Sequence, residues 1–202
     1  MLRHGETEWN RQGRFQGLLD SDLTDRGRAQ AVAMGAMLRS LGVSGASHAA
    51  RTSPQGRARV TAQLALAGTG LSAQDDPRLV EIGMGDWTGL CRLEIDARWP
   101  GPAGEALFDF YARCPGGETL EAVAARAASV LADLDRPTVI VTHGITLRML
   151  CALALGRPPA EGGLLLMRQG TVLRIAGGEL SVMDPSGLPA SVLNGNSRGP
   201  GG

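Results

Sequence analysis

Lysine is missing altogether: all twenty basic residues among the 202 are arginine. That excludes Schiff-base chemistry on a lysine amine and the phosphate-gripping lysine of a nucleotide P-loop. Any phosphate held by this chain is held by arginine, histidine, backbone N–H or neutral donors. Aromatics make up only 3% of the residues, and there are three histidines and three cysteines. Cys91, Cys114 and Cys151 are odd in number and far apart, which reads as reduced thiols in a cytoplasmic protein rather than a disulfide framework or zinc site. Twenty acidic residues cancel the twenty arginines, arguing against nucleic acid or a polybasic membrane anchor as partner. There is no apolar run of about 18 residues to span a membrane, and no basic-then-apolar leader is visible. No carboxylate or Cys/His cluster has the spacing of metal ligands, so chemistry without metal or cofactor is expected.

What is present, 43% hydrophobic and 20% charged residues, is the balance of a globular chain with a substantial core. Residues 1–193 are expected to form one domain, followed by a Gly/Ser/Asn-rich tail, 194–202, expected to be disordered. Thr24 is a helix N-cap candidate, with apolar residues at helical spacing through Leu41 and a stop at Gly42. A strand is expected within 46–52, and a helix from about Arg57, with Pro54 in its first turn. Two short helices flank Trp99-Pro100-Gly101-Pro102. A long Ala-rich helix covers Glu118 to Leu134. Thr138–Thr142 reads as a buried strand, Ile145–Leu155 as a helix, and 171–176 with 179–183 as a hairpin across Gly177-Gly178. Strands alternating with helices predict an α/β fold: a three-layer α/β/α sandwich with a mostly parallel central sheet.

Two of the three histidines stand in matching contexts, Arg3-His4-Gly5 and Thr142-His143-Gly144. Both fall just past strand ends, where open α/β sheets bind ligands. A neutral imidazole can attack phosphorus, and a guanidinium can hold two phosphate oxygens at once. Glycine beside them lets the backbone turn next to an anion.

The residues Arg3-His4-Gly5-Glu6-Thr7-Glu8-Trp9-Asn10, Gln16-Gly17, Ser53-Pro54-Gln55-Gly56-Arg57-Ala58, Glu81 with Gly85-Asp86-Trp87-Thr88-Gly89, Gly116-Gly117-Glu118-Thr119 and Val141-Thr142-His143-Gly144 occur in order. In this the chain resembles the histidine phosphatase superfamily, also called phosphoglycerate mutase-like, over roughly residues 1 to 176. The resemblance implies that His4 is the nucleophile of a phosphohistidine mechanism. It implies that Arg3 and Arg57 clamp the phosphate and that His143 is a third electropositive group. Asn10, and more weakly Thr7 and Ser53, would donate to phosphate. Glu81, with apolar flanks Leu79-Val80 and Ile82-Gly83, would be the general acid. Arg59 and His48 are expected to be structural. The family carries a full strand before its Arg-His-Gly, where this chain has two residues. The first strand is therefore expected to be clipped, with its missing part encoded upstream. In the family the segment after the acid, here 87–118, often covers the site and shapes specificity.

The same first half-reaction serves a phosphatase, where water accepts the phosphoryl group, and a mutase, where a substrate hydroxyl does. Cofactor-dependent glycolytic mutases resemble one another in an Arg-His-Tyr after the acid and in a lysine further on. Here Ile82-Gly83-Met84 follows Glu81, lysine is absent, and Ile145 replaces an asparagine. A phosphatase acting on a small phosphorylated metabolite is favoured over a mutase, and over a phosphate-binding regulatory module. The late hairpin offers an edge strand through which a homodimer could form.

Overall fold

Val139, Ile140 and Val141 form an unbroken apolar run, and burying both faces of it organises the fold. In the computed structural model, which describes residues 1–165 and 167–185, this run is the centre of β4 (Thr138–Thr142). The other strands are β1 (Leu2–Arg3), β2 (Ala49–Thr52), β3 (Gln74–Asp75), β5 (Val172–Ala176) and β6 (Glu179–Met183). Among the described residues they form one sheet in the order β3-β2-β4-β1-β5-β6. β1 to β4 are mutually parallel, and β5 and β6 run antiparallel at one side.

The pleat sends alternate side chains to opposite faces. Val139 and Val141 join Leu2, Ala50 and Val172 in a core beneath α2 (Asp25–Ser40) and α3 (Gly56–Leu66). Ile140 faces the other way, into a core with α6 (Leu120–Ala132) and α7 (Gly144–Ala154). The result is the three-layer α/β/α sandwich of the phosphoglycerate mutase-like fold, with a mixed, mostly parallel sheet. Trp87, Phe108 and Phe110 extend the second core; Phe108 and Phe110 lie on α5 (Leu107–Ala112), which follows α4 (Arg92–Arg98).

Local chemistry sets the helix ends. Thr24 accepts from Gly27 N at 3.0 Å as the α2 N-cap, and Gly42 follows the helix at φ +73°, a left-handed position that favours glycine. Pro54 precedes the N-cap Gln55 of α3 instead of lying in its first turn. The cap side chain makes no bond there, because Asp20 reaches in to accept from Gly56 N at 2.6 Å and Arg57 N at 3.3 Å. β3 and the four-residue α1 (Glu8–Arg11) had no periodic signature. The tail 194–202 lies outside the described residues.

β1 contributes two residues to the middle of the sheet. Leu2 pairs with Val141 on one side and Val172 on the other, and Met1 closes the ladder through its amine to Leu173 O at 2.6 Å. Above Met1, β4 and β5 continue with a slot of about 630 Å³ between them, lined by Ile140, Leu173 and Ile175 among others. The alternation of the ladders turns the main-chain groups of Thr138 and Ile175 toward this slot.

Candidate active site

The register of two strands builds the site. Arg3 pairs with Thr142, so the next residues, His4 and His143, emerge side by side. His4 N donates to Thr142 O at 2.9 Å, and the rings lie 5.2 Å apart. Gly5 has no left-handed φ. Its hydrogen is needed because a Cβ there would stand 2.2 Å from Gly27 O, while one on Gly27 would stand 2.0 Å from Glu6 O. The His4 loop is thus pressed against the start of α2. Gly5 N also donates to Thr61 Oγ1 at 3.0 Å, tying the loop to α3.

His4 is 3% exposed, and its Nδ1 lies 2.8 Å from Gly5 O. Since a carbonyl only accepts, Nδ1 carries the proton and Nε2 keeps its lone pair. Burial, then the charges of Arg3 and Arg57, hold His4 well below the usual histidine range. His143 is fully buried, with Nε2 at 2.8 Å from Ser53 Oγ. Burial first, then Arg57, His4 and Arg3, depress it as well. That direction favours the neutral ring, whereas the sequence led us to expect an electropositive group.

Arg57 reaches from α3 to the 17–20 loop. Its NH1 donates to Leu19 O at 2.6 Å and pairs with Asp20 at 2.7 Å, and its NH2 donates to Gly17 O at 3.0 Å. Arg3 donates from NH1 to Met167 O at 3.1 Å. After these anchors, Arg3 Nε, Arg57 Nε and His143 Nδ1 are buried without a partner among the described residues. A buried polar nitrogen left unpaired costs about 1–3 kcal/mol, and here two guanidinium N–H groups and one His143 ring nitrogen are left so beside His4.

The Glu81 carboxylate sits on the start of α7. It accepts from Ile145 N at 3.2 and 3.3 Å and from Thr146 N at 3.3 Å, helix-terminal N–H groups that have no partner within their own helix. Of its apolar neighbours, Leu79 turns into the core, while Ile82 lines the cleft beside the carboxylate and donates its N–H to Oε1 at 3.0 Å. A Cβ built on Gly144 would stand 3.5 Å from Glu81 Oε2 and 3.6 Å from Arg3 Nε, so the Glu81 carboxylate and the Arg3 guanidinium both lie close to one point.

Arg3, His4, Asn10, Arg57 and Glu81 line one cleft of about 360 Å³ with Phe15, Gln16, Met84 and Tyr111. Asn10 Oδ1 accepts from Thr7 N and from Gln169 Nε2, which leaves its amide N–H₂ for the cleft. Thr7 is buried as the N-cap of α1, where its Oγ1 accepts from Asn10 N and Gln16 Nε2; it lies behind the cleft lining. Ser53 acts on His143, not on the cleft. Arg59 pairs with Asp75 on the surface, and His48 bonds Ser47 at 2.7 Å. Sequence reasoning missed Gln55, which accepts from Glu81 N at 2.8 Å and donates to Gly17 O at 3.0 Å. Its place in Ser-Pro-Gln was the available signal. Glu118, read from the sequence first as a helix-start residue, accepts from Gly83 N and pairs with Arg126, pinning the chain after Glu81.

The family model of the histidine phosphatase superfamily (branch 1) matches residues 1–180. The chain belongs to this superfamily. It is 39% identical over 185 residues to a glucosyl-3-phosphoglycerate phosphatase of Mycolicibacterium vanbaalenii, covering 81% of this chain and 78% of that one. It is 34% identical over 186 residues to a probable phosphoglycerate mutase of Salmonella paratyphi B, covering 87% and 82%. Among solved structures, a mycobacterial glucosyl-3-phosphoglycerate phosphatase complexed with VO3 aligns with TM-score 0.72 at 31% identity, over 91% of this chain and 94% of that one. This histidine phosphatase is a hydrolase of the family's phosphatase branch. No described helix is long and apolar enough to cross a membrane.

Proposed function

We propose that the chain hydrolyses a small phosphomonoester, without metal, through a phosphohistidine on His4. The observation that carries this reading is the set of three buried, unpartnered nitrogens, Arg3 Nε, Arg57 Nε and His143 Nδ1, beside an imidazole whose Nε2 is unprotonated. Phosphoryl oxygens would satisfy the two guanidinium N–H groups and, once its Nδ1 is protonated, the His143 ring, most fully when charge gathers on them in the transition state. Nε2 of His4 attacks phosphorus, the ester P–O bond breaks, and Glu81 gives its proton to the departing alcohol. Water then attacks the phosphohistidine as Glu81 takes its proton, releasing inorganic phosphate and restoring His4. Asn10 donates to a further oxygen. The phosphate's negative charge counters the field that holds His143 neutral and shifts it toward the cationic form.

The relatives named for glucosyl-3-phosphoglycerate support a phosphorylated, hydroxyl- and carboxylate-bearing substrate. The test is phosphate release from p-nitrophenyl phosphate in EDTA, with His4→Ala as control and an acid-labile, base-stable phosphoenzyme trapped in the wild type. Turnover that persists in His4→Ala would sink the mechanism. The resemblance to a probable mutase keeps one competing outcome in view: phosphoryl transfer between positions of phosphoglycerate, dependent on 2,3-bisphosphoglycerate, with no net phosphate release.

A further inference from the structure

Tyr111 is the only tyrosine in the chain, and it stands in the cleft that holds His4 and Glu81. It comes from α5, in the segment after the acid. Its ring is fixed edge-on by Phe15 at 6.2 Å and Phe110 at 5.4 Å. The neighbouring polar side chains of the cleft are engaged inside the protein: Gln16 with Thr7 and Ser21, and Arg14 with Gly89 O and Glu94. The Tyr111 hydroxyl has no hydrogen-bond partner among the described residues, and the residue is half-buried. It is close enough to Glu81 and Arg3 to feel both charges, and burial raises the phenol above its ordinary pKa. The hydroxyl therefore keeps its proton and remains a donor throughout the neutral range.

We propose that Tyr111 is a specificity residue whose hydroxyl donates to a hydroxyl or carboxylate on the alcohol part of the substrate, next to the scissile ester. This rests on the phosphatase reading and adds the substrate class: phosphomonoesters of polar, hydroxylated or carboxylated alcohols. The position fits the division of labour in the cleft. Arg3, Arg57 and His143 serve the phosphoryl group, Glu81 serves the ester oxygen, and the phenol lines the same cleft, close enough to Glu81 to feel its charge. Packing alone would explain the ring but not a tyrosine, because phenylalanine would fill the same place between Phe15 and Phe110 without leaving a hydroxyl unpaired.

Tyr111→Phe keeps the ring and removes the oxygen. Binding of 3-phosphoglycerate and of inorganic phosphate is measured by calorimetry in a His4→Ala background, which does not depend on turnover. KM and kcat for 3-phosphoglycerate and p-nitrophenyl phosphate are measured with His4 intact. The expected result is a Kd and KM for 3-phosphoglycerate raised about tenfold, the size of one hydrogen bond to a charged or polar group. Phosphate binding and the p-nitrophenyl phosphate parameters should stay within about twofold. Equal losses on all four readouts would make Tyr111 a packing residue and overturn the proposal. So would an unchanged 3-phosphoglycerate affinity, or a wild-type site that binds phosphate and not 3-phosphoglycerate. A wild type that binds both ligands but releases no phosphate from either ester would refute the phosphatase reading alone, with the Tyr111 result still read from binding.

Discussion

Two neutral histidines buried among arginines should make this protein acid-sensitive in a specific window. His4 and His143 have folded pKa values depressed well below the usual one, by burial first and then by nearby arginines. The unfolded chain returns each to about 6.5. For a base with a lowered folded pKa, the unfolded state binds more protons as pH falls through 6.5, so stability present above that pH is lost below it. From pH 7 to pH 5 the loss is about 2 kcal/mol for each histidine still neutral in the native state, or about 4 kcal/mol for the pair. That is a large share of a typical folding free energy of about 5–15 kcal/mol.

Urea unfolding followed by tryptophan fluorescence at pH 7 and pH 5 measures this directly, in the wild type and in His4→Asn and His143→Asn. Only the pH-dependent part is compared, so the absolute cost of each substitution drops out. Each variant should lose about 2 kcal/mol less than the wild type over the window. The two rings touch and titrate as a coupled pair, so the second removal need not equal the first. A wild type losing under about 1 kcal/mol, or variants keeping its full slope, would refute the assignment of both rings as neutral and buried.

Four further outcomes follow from contacts in and around the site. Gly5→Ala must separate the His4 loop from α2, costing about 1–3 kcal/mol as overpacking; a displaced nucleophile should lower kcat about 100-fold, checked by unfolding and by turnover of p-nitrophenyl phosphate. Ser53→Ala removes the bond to His143 Nε2 and leaves a buried ring nitrogen unpaired, for about 1–3 kcal/mol of stability; an unchanged unfolding midpoint would count against the bond. Asp20→Asn acts on a partly exposed carboxylate, so stability should fall by no more than about 1 kcal/mol, while loss of orientation at Arg57 lowers kcat/KM about tenfold, read from steady-state kinetics. Joining four or five apolar, strand-forming residues ahead of Met1 should fill the slot between β4 and β5 and raise Tm by about 2–8 °C, the equivalent of about 1–2 kcal/mol in a chain of this size; a calorimetric Tm that does not move would mean that the slot gains nothing from a strand.

The parts of the fold that could be read from sequence are those in which one residue type does one local job. Thr24 capped and Gly42 ended α2 as expected, and the apolar run of β4 and the glycine pair before β6 marked a strand and a hairpin. Neither of β3's residues, Gln74 and Asp75, is buried, so β3 carries no alternation to detect. Pro54 was misplaced because Asp20, 36 residues before Gly56, supplies the cap that a local rule sought nearby. Gly5 was read as freedom to turn, yet what requires it is Gly27, brought close by the packing of α2. Glu81 had an apolar local context, but its donors come from α7, 64 residues on. Each miss concerns a contact that exists only once distant elements have packed.

The absence of lysine gains meaning from the way the proposed phosphate clamps, Arg3 and Arg57, are built. A clamp has two tasks: it must be held still, and it must present donors where charge develops. Arg57 uses NH1 and NH2 on Gly17, Leu19 and Asp20 and keeps Nε free; Arg3 fixes NH1 on Met167 and keeps Nε free. A planar guanidinium with five N–H groups can do both at once, because anchoring some donors fixes the direction of the rest. A lysine ammonium has three donors on a flexible stem, and anchoring it to three carbonyls would leave nothing for phosphate. Arg57→Lys should therefore behave as a loss of the clamp: kcat/KM should fall about as far as in Arg57→Ala, although the charge is retained. A lysine variant with near wild-type kcat/KM would show that charge alone suffices, and that the geometry of the free Nε is incidental.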